Sequence, residues 1–337
     1  MTSGITKNAN PDGVVHRHWI IRLMTVIILL VCTACGTLPT KENITVSKSY
    51  LHVMDYWTGN FQRSYYVHFP ADYHPNESLP LVVVVHGAFD TGKGMEKFSG
   101  FSRLSDKERF IVMYPNGIGI LGFLQHWNAG HCCGKAADDQ IDDVGFVSAA
   151  IDDLCSKFNV DRKRIYMTGF SNGGMFTYRF GAEKSDMLAA IAPLAASLGG
   201  KSSPDMPEWR SPEPSQPLSI LVMHGLTDDD VPFEGGASNR RGGTRSTLSV
   251  MESIGFWIEQ NGCQDTPVTE YLYDGTVLQT TWTGCRDQTQ VVLITLDDWG
   301  HSWPGPYFTR SLDADHPLYH FDAAEIIWDF FTKHSRN

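Results

Sequence analysis

The stretch LPLVVVVHG, Leu79 to Gly87, constrains the chain most: seven apolar or β-branched residues run together with no polar alternation. A strand with one wet face alternates, so an uninterrupted run belongs to a strand buried on both sides, as in a mostly parallel sheet covered by helices. The same character recurs in RFIVMYP, RIYMTGF, LAAIAPLA, SILVMHG and VVLITL. Helical patterns lie between these runs. Val147, Ile151, Leu154 and Phe158 fall on one face behind a capping Asp143, and Asp322 with Glu325 reads as a capping box before Ile326, Ile327, Phe330 and Phe331. Strands alternating with helices predict an α/β fold with a mostly parallel, doubly wound sheet. SYLHVMDY and RSYYVHF, which do alternate, predict an antiparallel strand pair at its start.

The 337 residues carry a formal charge of −11 and are 42% hydrophobic, enough for a substantial core and unsuited to nucleic acid, whose phosphates require clustered Lys and Arg. Residues 1–35 read as an export signal: Arg17 and Arg22 flank an apolar stretch from Leu23 to Val31, followed by small residues. That stretch is too short to span a bilayer. CTACG is similar to the cleavage box of bacterial lipoproteins, which makes Cys35 the expected lipidation site and a lipid anchor the expected membrane link. Residues 36–46 read as a tether and residues 47–337 as one catalytic domain. The Pro/Ser-rich segment from Gly199 to Pro217 reads as a surface excursion between two strands.

Export permits disulfides. Cys263 and Cys285 flank a predicted hairpin turning at Asp274-Gly275 and are the expected pair. Cys132, Cys133 and Cys155 leave one thiol over, and spacing does not say which. The alternative, a metal held by the HCC stretch with His126, lacks a second Cys/His pair at zinc spacing, so no metal is expected.

One motif carries chemistry. In YMTGFSNGGMF, Tyr166 to Phe176, the pattern G-x-S-x-G places Ser171 between an apolar strand and a helix. A sharp turn there lifts a serine clear of a sheet, where a base can take its proton. Active groups in such sheets collect at the carboxyl ends of strands. Asp228 follows the strand SILVMHG, with Asp229 and Asp230 as rivals, and His301 follows VVLITL, with His224, His86 and His316 as rivals. The chain order Ser, Asp, His is that of the α/β-hydrolase fold. An oxyanion formed at Ser171 would need two donors, for which the N–H groups of Asn172 and Ala88 are the candidates.

Taken together, LVVVVHGAFDTG, WNAGHCCG, DDVGFVSAAIDDL, VDRKRIYMTGFSNGGMFTYRF, HGLTDDDVPFEGG, GHSWPG and IIWDFF resemble the exported esterase family that groups polyhydroxybutyrate depolymerases with feruloyl and acetylxylan esterases. The likeness spans approximately residues 48–335. It implies an α/β-hydrolase fold and a cofactor-independent serine esterase cleaving aryl or short acyl esters: feruloyl or acetyl esters, or hydroxyalkanoate oligomers. Ser171 is then nucleophile, His301 base and Asp228 orienting acid, with Ala88 and Asn172 at the oxyanion hole and Trp303 near the acyl site. Phe89 and Asp90 stand where small or polar residues are usual, so Phe89 is a further candidate for the substrate mouth. No appended polymer-binding module is visible, which favours oligomers or soluble esters. A non-catalytic surface lipoprotein, or an acyltransferase on the same fold, are the alternatives.

Overall fold

A computed structural model describes residue 1 and residues 47–120, 122–238, 245–264 and 266–336. The export segment, the tether and Cys35 lie outside the described residues. Among those residues no helix is long and apolar enough to cross a membrane.

The seven residues of Leu79–Val85 are all buried, and they form an inner strand of a ten-stranded sheet. Across that sheet the order is Lys48–Thr58, Phe61–Phe69, Ile111–Pro115, Leu79–Val85, Val160–Phe170, Ala190–Leu194, Ser219–Gly225, Val291–Leu296, Val277–Trp282 and Val268–Leu272. The inner strands from Ile111–Pro115 through Val291–Leu296 run parallel. Antiparallel strand pairs close both edges, the expected one at the start of the domain and the Asp274-Gly275 hairpin at the other.

Because side chains alternate across a strand, one run feeds two cores. Leu81, Val83 and Val85 face the helices Asp143–Lys157, Asn172–Glu183 and Val250–Asn261, packing with Val147, Phe176 and Trp257. Val82 and Val84 face Gly92–Ser99, Phe101–Glu108 and Ala323–Thr332, packing with Met95, Phe101, Ile327 and Phe331. Each fully buried valine contributes roughly 1.5–3 kcal/mol, which is why the runs admit no polar residue.

Three sequence expectations change. The cap of helix Asp143–Lys157 is Asp142, whose carboxylate accepts the Gly145 N–H at 2.8 Å. Asp143 turns inward instead: it is 1% exposed, pairs with buried Arg63 at 2.7 Å and accepts the Asn128 N–H at 2.8 Å. Asp322 does cap the last helix, accepting the Ala324 N–H, but the capping box with both reciprocal bonds is at Ser249 and Glu252. The Gly199–Pro217 segment is not merely a surface excursion. Gly199–Lys201 and Trp209–Arg210 pair in a small four-stranded sheet with Gly236–Ala237 and Ser246–Thr247, and the Trp209 ring stacks on His131.

Candidate active site

Ser171 sits between strand Val160–Phe170 and helix Asn172–Glu183 with φ 55° and ψ −122°. A non-glycine residue held there costs of order 1–3 kcal/mol, and the surroundings enforce it: the Ser171 N–H is tied to the Leu194 carbonyl at 3.0 Å. Serine is a favoured helix cap, yet here its hydroxyl makes no cap bond. It donates instead to Nε2 of His301 at 2.8 Å.

His301 lies in the loop after strand Val291–Leu296, and its Nδ1–H donates to Oδ2 of Asp228 at 2.7 Å. That bond fixes the tautomer and leaves Nε2 as the acceptor facing Ser171. The imidazole packs against Phe170, ring centroids 5.0 Å apart. Asp228 follows strand Ser219–Gly225 and is 3% exposed. Its Oδ1 accepts the N–H groups of Asp230 and Val231 at 2.9 and 2.8 Å, which aims the other oxygen at His301. The two loops meet because residue 225 is glycine: a Cβ there would collide with the Trp299 carbonyl. The Leu226 and Thr227 N–H groups bond Leu296 and Trp299 carbonyls across the same seam.

The rival residues take no part in the relay. Asp229 is exposed, and Asp230 gives its backbone N–H to Asp228. His224 donates through Nε2 to the Val231 carbonyl at 2.8 Å and lies 3.6 Å from Asp228; burial lowers its pKa, keeping it neutral. His86 is wholly buried, bonds the Gly87 carbonyl through Nδ1 and accepts the Gly117 N–H through Nε2, and burial brings its pKa down to about 4. It braces the loop carrying Ala88. His316 accepts the Leu318 N–H in a distant turn.

Ala88 and Asn172 line the same small cavity as Ser171 and His301, and neither backbone N–H is taken by another group among the described residues. The Asn172 side chain is fully engaged: Oδ1 accepts the Trp127 N–H at 2.8 Å and Nδ2 donates to the Trp127 carbonyl at 3.0 Å. The Trp127 indole N–H reaches the His86 carbonyl at 3.1 Å, so the two loops bearing the candidate oxyanion donors are cross-braced. Phe89 lies at the surface with φ 67°, 52% exposed, its ring edge against His126. Trp303 does not line the cavity. It is fully buried in the second core, packed against Phe98 and Phe101, where its large ring fills space behind Phe170.

The remaining wall is Cys132, Cys133, Met175, Asp230, Val231 and Arg245. Cys132 and Cys133 stand side by side in this wall, and Cys155 is a free thiol whose pKa is pushed up to about 11 by burial. Cys263 and Cys285 are joined across the hairpin. Among the described residues no group of three or more His, Cys, Asp or Glu is placed to hold a metal ion. HCC was visible in the sequence but carried no assignment to the site, and Arg245 had no local signal at all. A larger hollow of about 630 Å³, lined by Asp186, Ser219, Lys333 and His334, lies at the amino ends of the strands, away from Ser171.

Sheet order and site position together define an α/β-hydrolase fold. No protein-family model matches the chain. Feruloyl esterase B of Piromyces equi is 29% identical over 242 residues, covering 71% of this chain and 42% of its own length. Feruloyl esterase C of Emericella nidulans is 24% identical over 285 residues, covering 80% of this chain and 83% of its own. Among solved structures, the acetyl xylan esterase from Aspergillus awamori superposes with a TM-score of 0.55 at 17% identity, over 83% of this chain and 99% of that one. The chain thus spans less than half the length of the Piromyces relative.

Proposed function

We propose that this protein is a serine carboxylic ester hydrolase that cleaves aryl or short acyl esters through an acyl-enzyme. The carrying observation is the unbroken relay Ser171 Oγ, His301, Asp228 at the carboxyl ends of three strands, with hydrogen bonds of 2.8 and 2.7 Å. The esterase names of the two relatives support the same reading.

Chemically, the hydroxyl of Ser171 gives its proton to Nε2 as Oγ attacks the ester carbonyl carbon. Asp228, accepting the Nδ1–H, stabilises the imidazolium that forms. The carbonyl oxygen becomes an oxyanion facing the N–H groups of Ala88 and Asn172, each worth about 3 kcal/mol when preorganised. His301 returns the proton to the departing alcohol, and water repeats the sequence to free the acid. No step requires a cofactor. We further place the chain outside the cytoplasm, with Cys35 as the lipid attachment site; labelling with a fatty-acid analogue that is lost in Cys35→Ser tests it.

Ser171→Ala should abolish turnover of p-nitrophenyl acetate and labelling by a fluorophosphonate while circular dichroism is unchanged. Undiminished turnover by that variant removes Ser171 from the mechanism.

A further inference from the structure

His224 passes no proton along the relay, yet its ring stands against the carboxyl group at the relay's far end. We propose that His224 is a positioning residue for Asp228: its Nε2–H braces the turn that aims Asp228 and moderates the hold of Asp228 on His301. The inference rests on the esterase reading and adds a working residue to it.

The ring starts from a rigid element. Strand Ser219–Gly225 is hydrogen-bonded on both sides, to Ala190–Leu194 and to Val291–Leu296. His224 is 1% exposed and meets Phe233 edge to face, ring centroids 6.0 Å apart. The Phe233 carbonyl in turn accepts the Val250 N–H at the start of helix Val250–Asn261. One nitrogen of the ring is engaged: Nε2 bonds the Val231 carbonyl at 2.8 Å, whereas buried Nδ1 has no partner among the described residues. A carbonyl only accepts, so the proton sits on Nε2. Val231 is thereby held at both ends, because its own N–H donates to Oδ1 of Asp228 at 2.8 Å. The other oxygen, Oδ2, which holds His301, lies 3.6 Å from the same Nε2.

Packing alone does not account for this residue. Phenylalanine would fill a similar space without burying a ring nitrogen that lacks a partner. The N–H explains the histidine in two ways. It satisfies the Val231 carbonyl and so keeps the turn from Asp228 to Val231 in the one shape that points Oδ2 at His301. It also lies close enough to offset part of the negative charge that Oδ2 presents to the imidazolium. Burial lowers the pKa of His224, so the ring stays neutral and acts through its dipole; Asp228 opposes that shift and His301 adds to it. Asp230 and Arg245 also line the cavity at His301 and stay the same in every variant below.

The test follows kcat, KM and the pH profile on p-nitrophenyl acetate in three variants. His224→Phe keeps a ring and loses the N–H: kcat should fall about tenfold with KM little changed. The acid limb of kcat/KM should also move up by about half a pH unit, because Oδ2 then holds the imidazolium more tightly. In His224→Gln the amide nitrogen is as many bonds from the backbone as Nε2, so most of kcat and the wild-type limb should return. His224→Asn sets its nitrogen at the place of Nδ1 and should remain as impaired as His224→Phe. Should His224→Phe fail to fold, as read by near-UV circular dichroism, nitrogen NMR of the wild type decides: His224 should carry its proton on Nε2 throughout the active pH range, and a proton on Nδ1 overturns the role. A folded His224→Phe with wild-type kcat and limb, or a His224→Gln no better than His224→Phe, overturns the role while leaving the esterase reading intact. A wild type inert toward both p-nitrophenyl acetate and a fluorophosphonate overturns both.

Discussion

Replacing Gly173 by alanine sets two effects against each other, and the structure says which wins. Gly173 is the second residue of helix Asn172–Glu183, where alanine is intrinsically better by about 0.8–1.0 kcal/mol. A Cβ at this position, however, would lie 2.5 Å from the carbonyl oxygen of Val85 and against that of His86. Ordinary van der Waals contact begins near 3.4 Å, so the helix start must retreat from strand Leu79–Val85 by about 0.9 Å. Both opposing atoms are backbone in the central sheet and cannot turn aside as a side chain would. Overpacking of this kind costs about 1–3 kcal/mol, more than the propensity gain, which predicts a fall of a few degrees in Tm. The catalytic effect should be larger. Asn172 adjoins Gly173, and a displacement approaching 1 Å of a catalytic group costs on the order of 100-fold. Gly173→Ala should therefore lose about 100-fold in kcat on p-nitrophenyl acetate with a smaller change in KM. Gly255 supplies the control: it too is helical, but its Cβ would meet nothing within 4 Å, so Gly255→Ala should keep kcat and gain slightly in Tm. Wild-type kcat and Tm in Gly173→Ala would refute the claim that glycine is there for close approach.

Asp228→Asn should cut kcat by about 10³–10⁴-fold with little loss of stability, because Oδ1 still accepts the Asp230 and Val231 N–H groups while an amide facing Nδ1 favours the wrong tautomer; exposed Asp229→Asn should be silent, and equal effects would reject the assignment. His86 and His131 stay neutral in the folded protein, with burial bringing their pKa values down to about 4 and about 3 from 6.5. The unfolded chain binds protons first as pH falls, so stability should be level above pH 6.5 and decline toward pH 4, by about 3 kcal/mol at pH 4 for His86 alone. Thermal melts that stay constant from pH 7 to 4.5 would contradict this. Cys263 and Cys285 close a loop of sequence separation 22, so Cys263→Ser/Cys285→Ser should lose roughly 3 kcal/mol, read as a lower urea midpoint in the unreduced state.

What the sequence made legible was whatever follows from local periodicity and chain order. Leu79–Val85 announces burial on both faces because nothing polar interrupts it, and the parallel sheet follows from several such runs separated by helices. Ser171 was legible because its glycines have a local reason, and Asp228 and His301 because they follow strands whose carboxyl ends must converge. Asp143 was misread as a cap because its partner, Arg63, comes 80 positions earlier on a strand, and nothing within one helical turn distinguishes an aspartate that caps from one that turns inward to a cation. Trp303 was misread for a related reason. A tryptophan two residues after His301 can point into the cleft or into the core, and only the company of Phe98 and Phe101 decides for the core. The cavity wall shows the limit most clearly. Cys132 and Cys133, Met175, Val231 and Arg245 arrive from four separate segments, and none carries a spacing that chemistry requires. The relay needs three residue types in a fixed chain order and so leaves a recurrent pattern, whereas the cavity lining obeys no spacing rule.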